Sequence, residues 1–387
     1  MSERRSNLLP AVLGGVLLVA LCSTAAISKE IWSNLRPVQG ITPHKQNYLV
    51  VDSQIWNHAR RDLGDVRLFA GSSEVPYAVE IGQGSRSAQR FEAKLMDMAR
   101  VDGDAQFIVD TRGAPQCDEL DLRLDGVYDF LASGKVQGLN SETQAHGEDL
   151  GGSVLFDFTH EGLGSDFTLK FRPSNYKFLR VRLPRVAPEQ ITRAIAVDTH
   201  IDNAVWTLDS EDLKITQEGN RTIVSWPGLS KAPVARIVFE IDPSQENFWR
   251  DIQVLKPNGG TITNSSIRRV HIVRDGVVAE NESLAVNLPS EEWDAFHLSL
   301  ANGDDPPLKI LSAKAYAFER RIYFDPIGST VLNLFYGNNY AGAPAYGYAQ
   351  DFHPDPDAAI ATLGPDMQNT ENVSGPALYP RPPNEHQ

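Results

Sequence analysis

Short runs of β-branched and aromatic residues, each cut by glycine or proline, recur along most of this chain and constrain it more than any other feature. Examples are 48–52 (YLVVD), 65–69 (DVRLF), 106–110 (QFIVD), 120–125 (LDLRLD), 154–158 (VLFDF), 167–171 (FTLKF), 178–183 (FLRVRL), 222–226 (TIVSW) and 331–336 (VLNLFY). The 29 glycines and 24 prolines in 387 residues punctuate them, and this pattern favours many short strands over long helices. Several runs alternate apolar with charged residues, as Leu120, Leu122 and Leu124 do with Asp121, Arg123 and Asp125. Such alternation suits antiparallel strands with one wet face. At 387 residues two or three domains are expected, each large enough to hold a core without staples.

An internal repeat sharpens this reading. The run 120–125 followed by Tyr128-Asp129-Phe130 is echoed by 237–242 (IVFEID) followed by Phe248-Trp249. Phe130 and Phe248, Phe178 and Phe296, and Pro188 and Pro306 share one offset of 118 residues. Coincident offsets predict two tandem antiparallel β-sandwiches, over 104–200 and 201–348. A β-rich segment over 27–103 precedes them, and a Pro/Asp/Asn-rich tail over 349–387 follows.

The first residues differ in kind. Arg4 and Arg5 precede an apolar stretch, 8–22, and then Ser23, Thr24, Ala25 and Ala26. This is the layout of a secretory signal peptide over 1–26, cleaved after Ala25 or Ala26; the rival is a retained N-terminal anchor. The apolar stretch is short of the roughly 20 residues that a spanning helix needs, and no later segment is apolar enough to span. A lipoprotein reading on Cys22 is weaker, because Leu21 stands where a small residue belongs. After cleavage Cys117 is the sole cysteine, so an internal disulfide is ruled out.

The net charge of −14, with no basic run carrying interleaved aromatics, argues against nucleic acid as a partner. Nine histidines are scattered with no HxH or HExxH spacing, so no zinc signature exists. No GxSxG, SxxK, phosphate loop or dinucleotide fingerprint appears. Carboxylates flank Cys117 and would raise its pKa. Neither Asp157 nor Asp294 stands out from a solvated strand face as half of a glycosidase pair. No cofactor is expected; calcium is the one cation left open, with Asp102, Asp104, Asp304 and Asp305 as candidate ligands in turns, against a plain reading as turn aspartates. Aromatic candidates for a ligand face are Trp249, Trp293, Tyr340, Tyr346 and Tyr348, although buried aromatics are commoner, and Trp226 reads as core.

Several runs resemble one known family. DVRLFAGSSEVPYAVE (65–80) preceded by YLVVD, with YKFLRVRLP (176–184), NGDDPPLKI (302–310), LFYGNNYAGAPAYGY (334–348) and TLGPD (362–366), is similar to the bacterial domain of unknown function 3999 family. The resemblance implies an exported envelope protein with modules similar to galactose-binding-like jelly rolls, and it brings no activity. Members often carry a C-terminal membrane helix, which has no counterpart in this sequence.

The function expected is that of a non-catalytic binding or scaffold module, periplasmic or secreted, whose partner is an envelope glycan or an envelope protein. The rival is a hydrolase acting on envelope glycans.

Overall fold

The computed structural model describes residues 32–289, 295–326 and 328–370. The chain is nearly all β, in antiparallel sheets, and it forms three sandwiches. The first jelly roll is built from strands between Ser85 and Asp202. In spatial order they are Glu148–Gly151, Lys135–Leu139, Phe178–Leu183, Asp104–Asp110, Ser85–Val101, Ile191–Asp202, Cys117–Leu124 and Thr168–Ser174. Strand Ser85–Val101 turns the corner between its two layers. Its first half pairs with Ile191–Asp202 and its second with Asp104–Asp110, across a bulge between Met96 and Ala99. A bulge bends a strand so that it can pass from one sheet to the facing one.

The second jelly roll repeats this order. Thr261–Arg274, Phe248–Leu255, His297–Ala301, Arg221–Ser225 and Lys214–Glu218 form one layer. Trp206–Ser210, Ile310–Phe318, Val234–Ile241 and Ala285–Asn287 form the other. Two short strands, Lys214–Glu218 and Trp206–Ser210, stand where the first copy uses the single strand Ser85–Val101. Phe130 opens Phe130–Ser133 and Phe248 opens Phe248–Leu255, at matching places in the two copies. Phe178 opens Phe178–Leu183 on its outer face, whereas Phe296 immediately precedes the matching strand His297–Ala301 and is buried in the second core, so this pair shares a strand but not a face. Pro188 and Pro306 both lie in the connection to the following strand.

Period-2 burial explains each core. In Phe178–Leu183, Leu179, Val181 and Leu183 are wholly buried with Phe107, Leu120, Leu155 and Leu169. Arg180 and Arg182 face the other way. Arg180 donates to the carbonyls of Gln144 and Ala145, and Arg182 to Asp104 at 2.7 Å. Phe178 lies on that outer face, covered by Ile108 and Leu139. In the second copy Val224, Ile237, Val254, Leu298 and Leu300 do the same work, and Trp226 is core, its indole donating to the Ala313 carbonyl at 2.7 Å.

The third sandwich corrects the expected division of the chain. Strands from both ends interleave in it. Asn34–Gln39 pairs with Leu332–Tyr336, which pairs with Arg67–Ala70. In the facing sheet Asn47–Val50 pairs with Arg320–Phe324, which pairs with Tyr77–Ile81. Leu49, Ile55, Trp56, Leu68, Ile322, Phe324, Leu334 and Tyr336 fill the space between. The described part of segment 27–103 is therefore half of a base whose other half follows the second jelly roll, and its last strand, Ser85–Val101, belongs to the first jelly roll. The second sandwich ends at Phe318 rather than 348, because 320–336 is apolar surface that only the base can bury. The expected tail also contributes: Ala359–Ile360, Thr362–Leu363 and Met367–Gln368 pair with the two N-terminal strands.

Both jelly rolls are thus inserted into one connection of the base. The crossing points are tied together: Gly82 donates to the Glu319 carbonyl, Val205 to Gly82 and Glu319 to Val205, each at 2.8 Å. Gly84 allows the close approach, with φ +64° and a position where a Cβ would fall 2.4 Å from the Asp202 carbonyl oxygen.

Candidate functional site

The two jelly rolls meet along an apolar seam. Leu131, Phe156, Phe158 and Leu163 of the first pack against Val270 and Ala279 of the second. Ion pairs cross its rim. Arg274 bonds Asp129 and, at 2.9 Å, Glu161, while Arg185 bonds Asp275 at 2.8 Å. The Arg274 guanidinium also sits 5.0 Å from the Phe158 ring centroid. Apolar packing with crossed ion pairs holds the two modules as one unit.

Cavities open on both sides of this seam. One, of about 250 Å³, is lined by Ser153, Asp166, Lys170, Glu280 and Asn281. The other, of about 240 Å³, is lined by Gly126, Tyr128, Phe130, Arg185, Gln190 and Arg274. The second is shaped by the loop between Cys117–Leu124 and Phe130–Ser133. Gly126 and Asp129 take positive φ there, +70° and +49°. Gln190 holds the loop, its side chain donating to the Gly126 carbonyl at 3.2 Å and its carbonyl accepting from Asp125. Val127 plugs into the core, so its neighbour Tyr128 is turned outward and left 66% exposed. Tyr128 stacks on exposed His160, with ring centroids 5.6 Å apart and planes at 23°. Arg185 stands at positive φ, +64°, and so does Asp275, +51°, as the first residue of the two-residue turn joining Thr261–Arg274 to Val277–Ser283. The result is an exposed aromatic face beside guanidinium donors and carboxylate acceptors, a combination suited to a hydroxyl-rich ligand.

The residues expected from sequence are placed elsewhere. Trp249 is half-buried within the seam. Its indole donates to Asp251 at 3.0 Å, lies under Arg268 and covers Gly164, where a Cβ would be 3.0 Å from the ring. Trp293 lies outside the described residues, as do Asp294 and the segment 1–26. Tyr340, Tyr346 and Tyr348 do not form one face. Tyr340 is 79% exposed. Tyr346 packs edge-on against Tyr77 and donates to Glu74, and burial pushes its hydroxyl pKa far up. Tyr348 accepts from Gln46 at 3.2 Å, and its pKa is pushed up to about 12 by burial and then by Asp325. Tyr346 anchors its segment to the base.

Three of the four turn aspartates that were candidates for calcium bond arginines. Asp102 and Asp104 both bond Arg182, and Asp305 bonds Arg250 at 2.9 Å, with Asp304 exposed beside it. Among the described residues no group of three or more His, Cys, Asp or Glu side chains is placed to hold a metal ion. Cys117 is buried, and its thiol pKa is pushed up to about 12 by burial, then by Asp118 and Asp198. A thiol so held is a poor nucleophile. At the seam, Asp129 and Glu161 share the Arg274 guanidinium.

Sequence reasoning missed Tyr128, His160, Arg185 and Arg274 as a group, because the first three are brought together only by the folded first jelly roll and Arg274 only by docking of the second. The one local signal was Gly126 and Asp129 bracketing an aromatic beside buried Val127.

No family model matches the chain, and no curated protein matches it. Among solved structures, allantoicase is similar at 8% identity over 64% of this chain and 90% of its own, with a TM-score of 0.16. A protein of Parabacteroides distasonis classed as secreted is similar at 10% identity over 71% of this chain and 98% of its own, TM-score 0.16. A structure of the infectious bursal disease virus Gt strain is similar at 11% identity over 78% and 82%, TM-score 0.14. Likenesses at such TM-scores bear on neither activity nor ligand.

Proposed function

We propose that this protein is a non-catalytic, exported component of the bacterial envelope, a binding or scaffold module of the domain of unknown function 3999 type that takes an envelope glycan or protein. The observation carrying this reading is the construction of the base. The Asn369 side chain donates to the Trp32 carbonyl at 2.8 Å, so the two ends of the described chain lie side by side on the base. From that footing a braced pair of jelly rolls is presented as a unit. The signal-like segment 1–26 supports export, and among the described residues no helix is long and apolar enough to cross a membrane.

The test is affinity capture from envelope extract with the full mature chain, beside a glycan array and N-terminal sequencing of native protein. Capture of a defined envelope protein or glycan, with an N-terminus near Ile27, supports the reading. Absence of any envelope ligand, or turnover of a glycan by the purified protein, overturns it.

A further inference from the structure

We infer that the seam cavity between Tyr128 and Arg274 is a saccharide subsite for one neutral hexopyranose unit, an inference that rests on the binding-module reading above. Three observations converge there. The first is the platform. Tyr128 is 66% exposed although the loop that carries it is fixed by Gln190 and plugged by Val127. His160 stacks on one side of the ring, which leaves the opposite side to receive the apolar C–H face of a pyranose.

The second is the polar set beside it. Arg185, Arg274 and Gln190 bring N–H donors, and Asp129 brings a carboxylate acceptor, to one cavity of about 240 Å³. That space suits a single sugar ring rather than a chain lying flat. Each guanidinium already has a carboxylate, Arg185 with Asp275 and Arg274 with Asp129 and Glu161. The rim sets three carboxylates against two guanidiniums, so no free cation is offered to a phosphate or uronate. Hydroxyls, which both donate and accept, can join such pairs without a change of net charge.

The third is the comparison across the seam. The cavity on the other side holds Asp166, Lys170, Glu280 and Asn281, but its aromatic residue, Phe156, is buried in the seam. Exposed Tyr340, conversely, is not among the residues that line these cavities. Only the Tyr128 side has both parts.

The test uses the full chain and immobilised neutral glucose-, galactose- and mannose-terminated oligosaccharides, with uronate-terminated ones alongside. Wild-type protein is expected to be retained by at least one neutral glycan. Tyr128→Ala should weaken that retention roughly tenfold or more, Tyr128→Phe should keep it, and Tyr340→Ala should match wild type. Unchanged circular dichroism and melting of Tyr128→Ala would show that the loss is not unfolding. Glycan retention that Tyr128→Ala leaves intact overturns this subsite while the binding-module reading stands. Retention of uronates alone overturns the neutral-sugar assignment. No retention of any glycan overturns the subsite, and envelope-protein capture then decides the broader reading independently.

Discussion

Asp65 reaches Asn338 across the base, its buried carboxylate accepting the Asn338 backbone N–H at 2.9 Å and the Gly337 N–H at 2.8 Å. Its other oxygen accepts from the Arg60 N–H at 2.9 Å. One side chain thereby clasps the segment before the jelly rolls to the segment after them. Asp65→Ala leaves these N–H groups without their acceptor and should cost about 3 kcal/mol. Limited proteolysis should then cut near 337–345 while fragments spanning 85–318 persist; uniform degradation of the whole chain would contradict this.

The strand Phe178–Leu183 separates burial from charge. Leu179→Ala removes a wholly buried side chain and should cost roughly 2–5 kcal/mol. Arg180→Ala gives up bonds to two loop carbonyls at a partly exposed site and should cost about 1 kcal/mol. Denaturant midpoints give the comparison, and a larger loss for Arg180→Ala would reverse the inside–outside assignment.

At the seam, Phe158 is 1% exposed and packs against the second jelly roll. Phe158→Ala should cost about 3–5 kcal/mol and loosen the docking more than either module. Calorimetry should show one transition dividing into two, and small-angle scattering should show a broader distribution of sizes.

Cys117 sets a pH dependence with a definite sign. Its folded pKa is raised from 9.0 to about 12, so the folded state holds the thiol proton more tightly than the unfolded chain does. The associated stability is complete below about pH 9 and is lost as pH rises toward about 12. Cys117→Ala should lose stability less steeply over that window than wild type. At pH 8, iodoacetamide should label Cys117 only after denaturant is added; rapid labelling of native protein would show the site to be open.

Period-2 alternation made the strands and both jelly rolls legible, because each core position in 178–183 or 120–125 is declared by its immediate neighbours. The offset between Phe130 and Phe248 exposed the duplication for the same reason. The base was hidden, since Asn34–Gln39 finds its partner at Leu332–Tyr336 and neither strand's sequence names the other. Strands of two residues, such as Thr362–Leu363, carry no periodicity to read. Aromatic composition misdirected the choice of site: Trp249 and Tyr346 are spent on packing, whereas Tyr128 stands out only once Val127 is known to point inward. The aspartates at 102 and 104 looked like cation ligands because the arginine that satisfies them is on a strand about 80 positions away.

The nested order of strands also governs when this protein can be finished. Each jelly roll is contiguous and can close as soon as it has been made, but strand Asn34–Gln39 must wait for residues 332–336 before it has a neighbour. The entropic penalty of so long a wait is small, since doubling a loop adds only about 0.6 kcal/mol, and early closure of the jelly rolls shortens the effective loop further. The burden is kinetic. Two N-terminal strands stay open-edged while nearly the whole chain emerges, a state prone to sticking to other chains. A product stopped after Phe318 would hold two sound jelly rolls and an unfinished, exposed base, because Arg320–Phe324 and Leu332–Tyr336 are the strands that close it.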